Sequence, residues 1–148
     1  WGFGDVAWER TSFANRETAK EFVGTHAALW GVAAAVYLAS MGPEGMADLG
    51  KGILQRSLYA RKVLGEVPGV STGKPSGVSF KEFVVDFGQS GRDVVEINEK
   101  LLACGIFGGK DLSREFPELG QSALYCVTEK TSKKDIDRLV EALSEILR

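Results

Sequence analysis

The stretch GIFGGKDLSREFPELGQSALYCVTEKT, residues 105–131, decides how this chain is read. Three glycines, Gly105, Gly108 and Gly109, are followed by Lys110, which invites comparison with a phosphate-binding loop. Such a loop runs from a strand into a helix, whose N-terminus receives the anion. Here the residues upstream carry a helical stripe, Val94, Ile97, Leu101 and Cys104. Gly105 therefore falls where a helix ends and a left-handed residue is wanted. Ile106 and Phe107 read as a short extended segment into the core, and Gly108 and Gly109 as a turn. No helix start follows closely, because REFPELG, residues 114–120, breaks the segment. The glycines punctuate secondary structure and cradle no phosphate. SALYCVT, residues 122–128, then reads as a strand.

Working outward, VSFKEFVVDF at 78–87 predicts another strand, with Phe83, Val85 and Phe87 on one face. Ser90 with Asp93, and Ser132 with Asp135, each spell Ser-x-x-Asp, a capping box that predicts a helix start. The second of these helices carries Ile136, Leu139, Val140, Leu143, Ile146 and Leu147 as one apolar stripe. Toward the N-terminus, Phe22, Val23, His26, Leu29, Trp30, Ala33, Val36 and Tyr37 predict a helix over 16–40. Its second half is apolar on nearly every face, so other structure should enclose it. MGPEG ends it: Gly42 suits a left-handed position and Pro43 the first turn of a new helix. That helix runs over 43–65 on Met46, Leu49, Ile53, Leu54, Tyr59 and Leu64, with Arg56, Arg61 and Lys62 in solvent. So short a link predicts a helix hairpin over 17–65. Residues 1–16 form an irregular lead-in with a short strand near 6–8. VPGVSTGKPSG, 67–77, is a loop; only three residues separate Gly69 from Gly73, and Pro75 follows Lys74, so it too fails as a phosphate loop.

The elements add up to an α/β (α+β) fold, a small sheet with helices packed on it. A β-α-β-α unit over 78–148 is expected, its strand–helix–strand pair joined by a right-handed crossover.

Composition narrows the function classes. The 148 residues suit one domain, and 44% hydrophobic with 26% charged residues supports a packed core. A formal net charge of −2, with no basic block, gives no pull toward nucleic acid or an anionic membrane. The longest apolar run, residues 27–39, has 13 residues, short of the ~20 a membrane helix needs. The chain opens WGFGDVAWER, with no secretory n-region and no initiator Met, so a fragment of a longer chain is expected. Cys104 and Cys126 have no metal spacing and read as small buried apolar residues in a reduced, cytoplasmic protein.

The chemistry that remains is sparse. A single histidine, His26, excludes a multi-histidine metal site, and no metal ligand set is expected. The carboxylate pairs Glu17/Glu21, Asp135/Asp137 and Glu141/Glu145 sit at solvated helical spacings. Lys130, Lys133 and Lys134 flank the last helix start, and none looks desolvated as a Schiff-base lysine must be. No catalytic residue and no cofactor-binding residue is assigned from the residues.

Two long stretches nevertheless carry a resemblance: AAAVYLASMGPEGMADLG at 33–50, and LLACGIFGGKDLSREFPELGQSALYCVTEKTSKKDIDRLVEAL at 101–143. With EFVV at 82–85, they resemble the C-terminal part of subunit 1 of glycine dehydrogenase (decarboxylating), the P-protein of the glycine cleavage system. The shared pattern is Gly-Ile-x-Gly-Gly, Pro-Glu-Leu, Cys-Val-Thr-Glu and an acidic-rich last helix with Ile-Asp. It runs without large gaps over 2–147. The resemblance implies the small C-terminal domain of a fold-type I pyridoxal phosphate enzyme. It implies decarboxylation of glycine, with aminomethyl transfer to the lipoyl H-protein. The cofactor's Schiff-base lysine would belong to the partner, subunit 2, so this fragment alone is expected to be inactive. Alone it could self-associate to cover its apolar helix. Where the family carries a Lys-Ala-Thr-Ser-Asn-Ile-Cys-Thr-like stretch, this chain reads TAKEFVGT, residues 18–25. Arg16, Thr25 and His26 become the candidate cleft or interface residues. The departure implies a second reading, a divergent non-catalytic structural or regulatory small domain.

Overall fold

A computed structural model describes residues 26–73, 77 and 79–148, with side-chain surroundings from Leu29 onward. The lead-in, the strand expected near 6–8 and the helix start at Arg16 lie outside these residues. The chain divides into two compact units, Trp1–Met46 and Ala47–Arg148.

Helix α1, His26–Leu64, spans the boundary and is broken at Gly42, where φ is 63° and ψ 177°. A positive φ is cheap only for glycine. It is needed there because Pro43 lacks an N–H, and its ring would clash with the preceding helical turn. Two helical stretches thus meet at Gly42, so the break expected at Gly42–Pro43 is present, while residues 17–25 of the expected hairpin lie outside the described residues. Within the first unit, Leu29, Trp30, Val32, Val36, Tyr37 and Leu38 are all exposed.

In the second unit, α1 buries Ile53, Ser57, Ala60 and Leu64, one face at spacings of three and four. This corrects the expected face: Met46 and Leu54 are exposed, while Ala60 and Ser57 take the inner positions. Arg61 is not solvated as expected. Its guanidinium donates to Ser79 Oγ at 2.9 Å and to the Thr72 carbonyl at 3.2 Å, tying down the loop after the helix.

Strand β1, Glu82–Asp86, is followed by α2, Val94–Ala103, then β2, Lys110–Asp111, β3, Ser122–Cys126, and α3, Lys133–Ile146. The sheet order is β1-β3-β2, with both pairings antiparallel. Register places Phe83 opposite Tyr125 and Val85 opposite Ala123. β1 and β2 are therefore parallel to each other, with β3 inserted between them. The expected crossover exists only in this split form, because the chain turns at Pro117–Leu119 and brings β3 back antiparallel between the two.

Phe83, Val85 and Phe87 share the buried face, as expected, and pack with Val94, Ile97 and Leu101 of α2 and Ile136 and Leu143 of α3. The Ser132–Asp135 capping box forms as the sequence predicts: Asp135 N–H donates to Ser132 Oγ at 3.2 Å, and Ser132 N–H donates to Asp135 Oδ2 at 2.9 Å. The Ser90–Asp93 box does not form. Ser90 instead closes a 3-10 turn, Gly88–Ser90, donating through both its N–H and its hydroxyl to the Phe87 carbonyl. The first N–H of α2, from Val94, is capped by Gln121 Oε1 at 2.9 Å, a partner remote in sequence.

Candidate functional site

The glycine-rich segment that follows α2 is a loop tied to that helix by hydrogen bonds. Helix α2 ends in a Schellman motif: Gly105 N–H donates to the Leu102 carbonyl at 2.8 Å and Ile106 N–H to Leu101 at 2.9 Å. Gly105 has φ 70°, the left-handed conformation expected from its position. That reversal overturns the expected run into the core. Ile106 is half-buried, and Phe107 stands 90% exposed at the loop's tip. Beyond it, Asn98 Nδ2 donates to the Gly109 carbonyl at 2.9 Å. A cavity of about 190 Å³ lies beside the loop, lined by Leu64, Phe83, Ile106, Phe107, Tyr125 and Ile136 among others. The Tyr125 ring stacks with Phe83 at 6.4 Å between centroids. Burial pushes its phenol up to about 12, and no group among the described residues meets hydrogen-bond geometry with its hydroxyl.

Cys104 and Cys126 are both exposed and free, against the expectation of burial. Cys104 lies one residue past α2. Cys126 falls on the outer face of β3, where Ala123, Tyr125 and Val127 take the inner positions.

A second, open groove of about 300 Å³ lies between the C-terminal end of α1 and α3. Tyr59, Val63 and Val67 line one side, and Asp137, Val140 and Glu141 the other. Tyr59 donates its hydroxyl hydrogen to Asp137 Oδ1 at 2.6 Å, and Lys133 Nζ donates to Asp137 Oδ2 at 2.6 Å. The same ammonium sits 4.9 Å from the Tyr59 ring centroid. The bond from Lys133, then that from Tyr59, holds the Asp137 carboxyl below its usual range. The bond to Asp137 in turn raises Lys133 above the ordinary lysine value.

This arrangement fixes charge and does not activate it. A Schiff-base lysine must be readily deprotonated, and Lys133 is held protonated in solvent. The other lysines of the described residues are exposed or half-buried. The described residues therefore do not fit as the anchor of pyridoxal phosphate. Among them no cluster of His, Cys, Asp or Glu could hold a metal ion, and no helix is long and apolar enough to cross a membrane.

Of the three cleft or interface candidates, Arg16 and Thr25 lie outside the described residues, and His26 is described only as the first backbone position of α1. Sequence reasoning missed the Tyr59–Asp137–Lys133 network, because residues 59 and 137 meet only through the fold. The Lys133–Asp137 half of it, at a spacing of four on one helix, was open to inspection.

No protein-family model matches the chain. It is 42% identical over 137 residues to the probable glycine dehydrogenase (decarboxylating) subunit 1 of Thermococcus onnurineus, covering 93% of this chain and 29% of that protein. The protein of the same description from Staphylothermus marinus is 41% identical over 145 residues, 98% of this chain and 31% of its own length. The fold matches a crystal structure of glycine decarboxylase (P-protein) of the glycine cleavage system in inhibitor-bound form, with TM-score 0.77 and 29% identity. That match covers 95% of this chain and 31% of the other. The chain thus spans about three tenths of the length of the relatives it matches. Sequence and fold agree in likening the chain to one portion of glycine dehydrogenase (decarboxylating) subunit 1.

Proposed function

We propose that this chain acts as the C-terminal domain of a P-protein subunit 1, within an assembly that decarboxylates glycine and passes the aminomethyl group to a lipoyl H-protein. The observation that carries this reading is identity of about 40% over nearly the whole chain to proteins of that one description. On this reading pyridoxal phosphate, which supplies the electron sink for decarboxylation when bound, is held by the rest of the assembly, with its lysine in subunit 2. The role left to these residues is structural: a three-stranded sheet and packed helices that hold α1 in place. Arg16, Thr25 and His26, leading into α1, are the proposed cleft or interface residues. The cytoplasm is the proposed compartment, which suits two exposed free cysteines. The test is carboxyl exchange from labelled bicarbonate into glycine, with the family-length subunit carrying this sequence, its candidate partner subunit, pyridoxal phosphate and H-protein. Exchange that requires both subunits is expected; a stable complex with no exchange would refute the catalytic reading.

One observation favours a second reading. TAKEFVGT at 18–25 retains little of the family's polar stretch. A divergent, non-catalytic domain would show a stable complex without exchange, and restoring the family-like residues would not create activity.

A further inference from the structure

We infer that the first stretch of α1, residues 29–41, is an interface helix enclosed by the part of a family-length subunit that lies outside this chain. The inference deepens the proposed function and rests on it for the identity of the enclosing body. Leu29, Trp30, Val32, Val36, Tyr37 and Leu38 are between 49% and 75% exposed. No charged residue occurs between His26 and Glu44. At about 100° per residue, the six side chains point around most of the helix circumference, and Ala35 falls in the remaining gap. A helix apolar all round is a core helix of something larger.

This geometry selects the occupant. A second copy docking along one face would leave the opposite residues in water. Enclosure on several sides needs a body that surrounds the helix, and the relatives supply one, because this chain spans only 29–31% of their length. The division of the chain fits: the first unit ends at Met46, just past the Gly42 break, and from Ile53 onward α1 buries its residues in the α+β unit instead. The first stretch of α1 thus belongs to the core of the larger body.

Amide hydrogen exchange of residues 29–41 tests this, measured in the isolated 148-residue chain and in a family-length subunit carrying it. Exchange at least about a hundredfold slower in the longer protein is expected. Equal rates in both would overturn the inference. So would protection already present in the isolated chain together with a dimer mass by light scattering. Val36→Asp should lower the melting temperature of the longer protein and leave unfolding of the Ala47–Arg148 unit in the isolated chain unchanged; tolerance by both would also overturn it. A protected helix in an enzyme without glycine exchange would defeat only the catalytic reading. An active enzyme with an unprotected helix would defeat only this one.

Discussion

A Cβ on Gly109 would lie 2.5 Å from Tyr125 Cε2 and 2.9 Å from the Ala123 Cβ. Neither neighbour can give way, since Ala123 is fully buried and Tyr125 nearly so. Gly109→Ala should therefore destabilise the α+β unit by about 1–3 kcal/mol, the usual cost of overpacking, read from the urea midpoint. Phe107→Ser, two residues away, should change stability by less than about 0.5 kcal/mol, because that ring touches little of this chain. The contrast was only half legible in the sequence. Gly105 announces a helix end by position alone, whereas the need for glycine at 109 arises from β3, which is remote in sequence. Exposure of Phe107 was not legible at all, since a Phe flanked by glycines reads equally as core. At Asp137 the sign of the pH effect follows from its partners. Its folded-state pKa lies below the ordinary 3.8, so its contribution is complete above that value and is lost as pH falls through the lower, folded one. Asp137→Asn should flatten the acid limb of a plot of denaturant midpoint against pH. An unchanged limb would mean that the contacts with Lys133 and Tyr59 contribute nothing.

Helices and strands were read best where one face repeats. α3 was legible in full, from its capping box to its stripe, because both signals are local. Ser132→Ala should cost about 1 kcal/mol, as removal of an N-cap does, seen as a lower urea midpoint with an unchanged slope. Leu143→Ala, at the fully buried centre of that stripe, should cost about 2–5 kcal/mol. α2 was read with its start misplaced. Ser90 and Asp93 have the spacing of a cap, but a 3-10 turn claims the serine, and Gln121 supplies the cap from across the fold. The strand order shows the same limit: two strands flanking a helix suggest a crossover, yet insertion of β3 between them depends on a tertiary choice that no short window records.

For the whole molecule, the family signal and the physics of α1 lead to one conclusion. The Ala47–Arg148 unit has its own core, around Phe87, Ile97, Leu101 and Leu143. The helix that enters it carries apolar side chains with nothing among the described residues to bury them. On the proposed function, such a helix is enclosed by the rest of a family-length subunit. The most direct test is to replace the corresponding segment of the Thermococcus onnurineus subunit 1 with this chain and measure bicarbonate exchange into glycine, with the partner subunit, cofactor and H-protein present. Exchange close to that of the parent enzyme is expected. A chimera that folds and joins its partner but exchanges no carboxyl would contradict the assignment.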